Sequence, residues 1–189
     1  SSKWFSANFV DRVMQVIGAM WINVLPKKME EFRNRFDHHL ILKMHDGGID
    51  EARRYMQEKL DGVNCDYFEC DSREAKVASL HRFVAAGAAV RYMAINKGSV
   101  ADIIALDIAL KRNDRDWFEK LPASLERAIS HKLYYGHFFC HVFHQDYIVK
   151  KGYDPVMIKK QLLAFIKARG ARYPAEHNVG NMYEADQEL

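Results

Sequence analysis

The sequence has few cysteines, which excludes the protein classes that depend on them. Only three are present among 189 residues, and the sequence contains no CxxC pair of the kind that predicts a zinc site. Cys65 and Cys70 fall within one predicted strand, where their side chains would point to opposite faces. We therefore expect reduced, buried thiols, including Cys140, and no disulfide framework.

Long apolar runs and a strong charge of one sign are also lacking. No stretch reaches about 20 apolar residues, so the sequence predicts no transmembrane helix. With 10 glycines, 4 prolines and 49% hydrophobic residues, the composition is that of a globular chain. The net charge of +3 is too small to predict nucleic-acid binding without a local patch.

The N-terminal 36 residues combine an apolar face with a surplus of positive charge. Apolar side chains recur at helical spacing through residues 8–25, and a second, basic helix follows Pro26. Such a pair could lie on an anionic phospholipid surface, but ordinary packing on the rest of the protein is the alternative. The predicted membrane-contacting residues are Phe9, Met20, Trp21, Lys27, Lys28, Arg33 and Arg35.

Strands and helices alternate through the rest of the chain. Alternating or aromatic segments predict strands at 38–44, 65–71 and 133–152, whereas 99–110 fits a strand or a helix. Helical patterns cover 49–62, 72–90 with Ser72 as its N-cap, 114–132 with a proline interruption, and 155–170. This order predicts an α+β fold with a ferredoxin-like antiparallel sheet covered by helices.

Histidines are concentrated where chemistry could occur. His137, His141 and His144 lie within eight residues, and Glu176-His177 falls in an irregular segment after a helix. Such a group is typical of a metal site or an acid–base site, although imidazoles on a half-buried strand and a surface Glu-His pair are the structural alternatives. A straight strand would place residues 137 and 144 on opposite faces, so a shared ligand requires a bend.

Five successive segments resemble one known family. They are RFDHHLILKM (35–44), LHRFVAAGAAVRY (80–92), LDIALKRNDRDWFEKLP (106–122), HKLYYGHFFCHVFHQDYIVKKG (131–152) and ARYPAEHNVG (171–180). In this order they resemble the bacterial respiratory D-lactate dehydrogenases, peripheral membrane flavoproteins of the vanillyl-alcohol-oxidase type. The resemblance covers nearly the whole chain from about residue 4.

The resemblance implies a division of labour along the chain. Residues 1–36 would contact the membrane, 37–175 would form an α+β cap domain, and 176–189 would begin the return to an FAD-binding domain. The chain would be one part of a longer enzyme and inactive alone. That enzyme would oxidise D-lactate to pyruvate through FAD and reduce membrane quinone on the cytoplasmic face of the bacterial inner membrane.

A more distant similarity, to 2-hydroxyglutarate-type dehydrogenases, implies roles for single residues. Their motifs Gly-His-x-Gly-Asp-Gly-x-x-His and Gly-Glu-His-Gly match Gly136, His137 and His144, and then Glu176 and His177. The match implies that His137, His144 and Glu176 orient the hydroxy acid or hold a divalent metal, and that His177 is the base. Phe139-Cys140-His141 replaces Gly-Asp-Gly, which puts the metal in doubt.

Other assignments depend less on the motifs. Lys111 or Arg112 is the candidate for the substrate carboxylate. Two other classes of function are a stand-alone ferredoxin-like binding module and a metal-dependent hydrolase using the His/Glu cluster. Neither explains the ordered match along the chain.

Overall fold

The computed structural model describes residues 25–60, 62–111, 113–136 and 142–175, the backbone of His137, and the isolated positions 13 and 16. The chain divides into two compact units, Val13–Ala85 and a second unit of Ala86–Leu189 with Ser1–Arg12. The domain boundaries predicted after residues 36 and 175 stay predictions.

The described part of the first unit consists of three helices and the segments between them. The helices are α1 (Lys27–Arg35), α2 (Gly48–Lys59) and α3 (Ser72–Ala86), in agreement with the helical periodicity. The strands predicted at 38–44 and 65–71 are wrong, because these residues pair with no other described strand. Cys65 and Cys70 are exposed there, not buried. An apolar run becomes a strand only where a neighbour pairs with it.

The start of α3 is fixed by a capping box one residue earlier than predicted. The Asp71 carboxylate accepts hydrogen bonds from the backbone amides of Arg73 and Glu74, each at 2.8 Å. In return the Glu74 carboxylate accepts a hydrogen bond of 2.9 Å from the backbone amide of Asp71. Asp71, and not Ser72, is therefore the N-cap, and Glu74 occupies the usual position for the reciprocal acid.

The second unit is built on a three-stranded antiparallel sheet. Its elements are α4 (Ala88–Ile95), β1 (Val100–Ala109), α5 (Ala123–Ala128), β2 (Ile129–His137), β3 (Val142–Lys150) and α6 (Pro155–Ala168). The strand order in the sheet is β1-β3-β2. The α+β class is confirmed, and 99–110 is a strand rather than a helix.

Three boundaries differ from those predicted. The helix expected over 72–90 divides at Gly87, a residue with poor helix propensity. The helix expected over 114–132 is reduced to α5. The single strand expected over 133–152 is two antiparallel strands, so the chain reverses between residues 137 and 142.

The main core lies on one face of the sheet. Alternate residues of β1, namely Ile104, Leu106 and Ile108, are buried against α5 and α6. This alternation follows from the period of two in a strand with one covered face. On the opposite face, Ala89 of α4 packs with Val100 and Ile148.

After α6 the chain returns to the edge of β1. Gly170, with a positive φ of 76°, ends the last helical segment. The backbones of Ala109 and Arg172 then exchange two hydrogen bonds of 3.0 and 2.9 Å, and the Ala175 amide donates to the Asp107 carbonyl at 3.0 Å. Residues 172–175 therefore run beside β1, and Glu176 follows directly in the sequence.

Candidate functional site

A polar row crosses the sheet on the face opposite the main core. The strand register pairs Asp107 of β1 with His144 of β3, and His144 with Tyr135 of β2. Directly paired residues of antiparallel strands share a face, so these three side chains project from the same side. Asp146 lies two residues beyond His144 and shares that face.

The centre of this row is a carboxylate–imidazole pair. The Nδ1 atom of His144 is hydrogen-bonded to Oδ1 of Asp107. Both side chains are partly buried, with exposed fractions of 32% for His144 and 26% for Asp107. Partial burial weakens competition from water, so the pair has a more defined geometry than a surface ion pair.

The carboxyl group of Asp146 is the second acidic group of the row. Burial raises its pKa above the ordinary value and Asp107 raises it further, while His144 lowers it. Desolvation is the largest cause, because burial disfavours the charged form of a carboxyl group.

Tyr135 contributes a hydroxyl that is enclosed but unpaired within the described residues. The oxygen is buried and has no hydrogen-bond partner among them. Burial, with a smaller contribution from Asp146, raises the pKa of this phenol to about 12, so it is protonated near neutral pH. A buried donor without a partner is costly, which makes it suitable for a polar ligand.

The fold brings other predicted site positions towards the polar row. The backbone of His137 pairs with Val142, two residues before His144, so the reversal supplies the bend that a shared site requires. The bond between Ala175 and Asp107 places the residue before Glu176 beside the row. Glu176 and His177, Arg112 and the His137 side chain lie outside the described residues.

Lys111 lies beyond the end of β1, four residues after Asp107. Its aliphatic chain rests against Gly170, where a Cβ atom would collide with it. It lines an open depression of about 410 Å³ together with Asn113, Asp114, Asp116 and Arg169. Arg169 lies 3.6 Å from the Asp114 carboxylate, so the depression contains both signs of charge.

The described residues do not by themselves form a metal site. Within them, no group of three or more His, Cys, Asp and Glu side chains is arranged to hold an ion. The predicted ligand set needs Glu176 and the His137 side chain, which the structure does not describe. The described backbone of His137, paired with Val142, is compatible with a shared site at His144.

Comparison with known families identifies the group to which this sequence is related. The family model described as "D-lactate dehydrogenase, membrane binding" matches residues 1–189. The chain belongs to this family. The resemblance in the five segments is thereby confirmed.

Curated relatives from three bacteria share one name, quinone-dependent D-lactate dehydrogenase. The chain is 49% identical to the quinone-dependent D-lactate dehydrogenase of Escherichia coli over 187 residues, covering 99% of this chain and 33% of the relative. For the Haemophilus influenzae protein the identity is 52% over 180 residues, covering 95% and 32%. For the Corynebacterium glutamicum protein it is 40% over 183 residues, covering 96% and 32%. The chain spans about a third of the length of these relatives.

The surroundings of the basic helix α1 are more neutral than its own sequence implies. In α1, Arg33 pairs with Glu30 at 3.7 Å, and Arg35 lies 3.1 Å from Asp66. Lys28 lies 3.9 Å from Glu74. Residues 13–85 contain twelve acidic and eleven basic residues, so acids from later in the chain offset the N-terminal surplus.

An exposed apolar face is the other surface feature of the first unit. Leu80, Phe83 and Val84 of α3 are 65%, 69% and 66% exposed, and their spacing puts them on one side of the helix. Of the predicted apolar contact residues, Phe9, Met20 and Trp21 lie outside the described residues. No helix in the described part of the chain is long and apolar enough to cross a membrane.

The sequence motifs missed three members of the polar row. Asp107 lies in the segment 106–122 but has no role in the His/Glu motifs; it follows Leu106 and precedes Ile108 in a strand whose buried residues alternate. A carboxylate on the other face of such a strand was the available signal. Asp146 could be found as the second residue after His144, whereas Tyr135 joins the row only through the register.

Proposed function

We propose that this chain functions within a quinone-dependent D-lactate dehydrogenase, where it covers the substrate and contacts the membrane. The match of residues 1–189 to the family carries this proposal. D-lactate is oxidised to pyruvate: the hydroxyl proton goes to a base, and the α-hydrogen leaves with two electrons. FAD, held mainly by a domain outside this chain, supplies the hydride acceptor, and membrane quinone takes the electrons.

The polar row is proposed as the face that this chain turns towards the hydroxy acid. His177 serves as the base and Glu176 assists it. His137 and His144 orient the hydroxyl group, and Lys111 or Arg112 binds the carboxylate. The support comes from position: the Ala175 amide donates to the carbonyl of Asp107, whose side chain holds His144, and Glu176 and His177 follow Ala175 in the sequence.

A divalent metal held by His137, His144 and Glu176 is the alternative to direct hydrogen bonding. A bound ion would polarise the hydroxyl oxygen and make its proton easier to remove. Exhaustive chelation of the full-length enzyme distinguishes the two. Inactivation that Zn²⁺ or Mn²⁺ reverses supports the metal, whereas full activity leaves the three side chains with hydrogen-bonding roles only.

The proposed base is tested by His177→Ala in the full-length enzyme. We expect turnover with D-lactate to fall about 10²- to 10⁴-fold, which is typical for loss of a general base, while FAD remains bound. His45→Ala is the matched control, because the His45 side chain is 85% exposed and paired only with its neighbour Asp46 among the interactions that the structure shows. Near-wild-type turnover in His177→Ala would remove it from the mechanism.

Membrane contact is proposed to be peripheral, on the cytoplasmic face of the bacterial inner membrane. The family description supports membrane binding. We propose an anionic phospholipid surface as the partner of the N-terminal 36 residues. Because several basic side chains of α1 already have acidic partners, burial of apolar side chains must supply much of the affinity.

A further inference from the structure

We propose that Asp107 is a positioning residue for His144, which it holds in the orientation and Nδ1–H tautomer that leave the lone pair on Nε2. The inference rests on the proposed function, because it assumes that the polar row faces the substrate. It adds a residue that neither the motifs nor the family comparison identifies.

The contact itself supports this role. Asp107 and His144 are cross-strand partners on β1 and β3, 37 residues apart in sequence, and the carboxylate meets Nδ1. An ionised carboxylate can accept hydrogen bonds but cannot donate them. If the imidazole is neutral, its proton must therefore lie on Nδ1, the nitrogen that meets Asp107. The lone pair is then on Nε2, the nitrogen that can accept a hydrogen bond from a hydroxyl group or bind an ion.

The backbone around Asp107 makes the carboxylate a rigid support. Its neighbours Leu106 and Ile108 are each only 1% exposed and are fixed in the main core. On the strand edge, the Asp107 carbonyl accepts the Ala175 amide. A side chain that projects from a strand fixed on both sides has little freedom to move, so the imidazole it holds keeps one orientation.

The same backbone bond explains why Asp107 matters for the proposed base as well. One residue, Asp107, holds the imidazole through its side chain and the segment leading to Glu176 and His177 through its carbonyl. Displacement of Asp107 would disturb both. Substitution of the side chain alone leaves the carbonyl contact intact, so the two contributions can be separated.

The tautomer can be measured without turnover. In the full-length enzyme with ¹⁵N-labelled histidine, the His144 signals are identified as those lost in His144→Gln. We expect a protonated Nδ1 and an unprotonated Nε2 in the wild type. In Asp107→Asn the side-chain amide can donate to Nδ1, so the proton should move to Nε2. An Nε2–H tautomer in the wild type would overturn the inference.

Steady-state kinetics test the functional consequence. We expect Asp107→Asn to lower kcat with D-lactate about 10- to 100-fold and to change KM less than about threefold, as for a group that orients another. Asp107→Glu keeps a carboxylate. On a logarithmic scale, it should restore at least about a third of the decrease in kcat that Asp107→Asn causes. Asp102→Asn, on the same strand but exposed, is the matched control and should stay within about twofold.

A double-mutant cycle decides whether Asp107 acts through His144. If it does, the Asp107→Asn/His144→Gln enzyme should have a kcat within about threefold of His144→Gln alone. Independent losses that multiply would overturn the inference, and so would wild-type kcat in either single variant. FAD content and melting temperature, measured for every variant, identify a loss caused by unfolding. Failure of the wild-type enzyme to oxidise D-lactate would refute the proposed function, and the tautomer measurement would still decide the role of Asp107.

Discussion

At the scale of single residues, the second unit holds two polar groups with different surroundings. The row around His144 is partly exposed and can meet a ligand. On the other face of the sheet, Glu119 is only 5% exposed, and its Oε1 atom accepts hydrogen bonds from Tyr134 at 2.7 Å and Tyr147 at 3.0 Å. The hydrogen bonds of this buried group constrain the arrangement of its neighbours, although Oε2 of Glu119 has no partner among the described residues.

Tyr147 should make the stability of the chain sensitive to alkaline pH. Burial, with Glu119 beside it, raises the pKa of Tyr147 above its ordinary value of 10.0. Above about pH 10 the unfolded chain loses this phenol proton and the folded chain keeps it, so the free energy of unfolding falls as pH rises. We expect the free energy of unfolding, measured with urea, to decline less steeply with pH in Tyr147→Phe than in the wild type. The difference in slope should be about 1.4 kcal/mol per pH unit.

The control for this measurement is Tyr153→Phe, because Tyr153 is 40% exposed. Above pH 10 the free energy of unfolding of Tyr153→Phe should decline as steeply as that of the wild type. Equal declines in wild type and Tyr147→Phe would show that the folded chain releases this proton as readily as the unfolded chain does.

At the scale of elements, the described helices of the first unit depend on local polar contacts more than on buried apolar residues. In α1 and α2 no described residue is buried, and in α3 only Glu74 and Ala78 are. An isolated helix of this length is marginal in water, so local contacts have to compensate. The capping box of Asp71 and Glu74, and the pair that Arg53 forms with Glu69 at 2.6 Å, are such contacts.

Asp71→Ala should therefore destabilise the first unit measurably. The substitution removes two hydrogen bonds to the first turn of α3, and loss of an N-cap costs about 0.5–2 kcal/mol. Urea unfolding of the chain measures the difference. Ser72→Ala is the matched control and should change the free energy of unfolding by less than about 0.5 kcal/mol. A larger loss for Ser72→Ala than for Asp71→Ala would assign the cap to Ser72.

At the scale of the whole molecule, membrane association should need both apolar contact and charge. A basic residue near an anionic surface contributes roughly 1 kcal/mol, and salt screens this term. Burial of apolar side chains does not depend on salt in that way. We expect the chain to sediment with vesicles containing phosphatidylglycerol more than with neutral vesicles, and high salt to weaken this only partly.

Two sets of variants separate the contributions. Replacing Lys27, Lys28, Arg33 and Arg35 with Gln should abolish the preference for anionic vesicles, and Trp21→Ser should weaken binding to both kinds. Phe83→Ser tests the exposed face of α3 instead. If Phe83→Ser weakens sedimentation and Trp21→Ser does not, the apolar contact with the membrane belongs to α3. If the wild-type chain does not bind anionic vesicles at low salt, the assignment of membrane contact to the N-terminal 36 residues is refuted.

Local pattern determined much of this protein from its sequence alone. The spacing of apolar residues located α1, α2 and α6, and the ordered motifs determined the family, because both are properties of contiguous residues. The pairing of Asp107 with His144, the reversal between β2 and β3, and the return of Ala175 to β1 were decided by the tertiary structure. A residue 37 positions away can become a partner only when the sheet register is set, and that register depends on the whole core. The same reason explains the two errors at 38–44 and 65–71: strand-like residues are present, but no strand in the described ranges pairs with them.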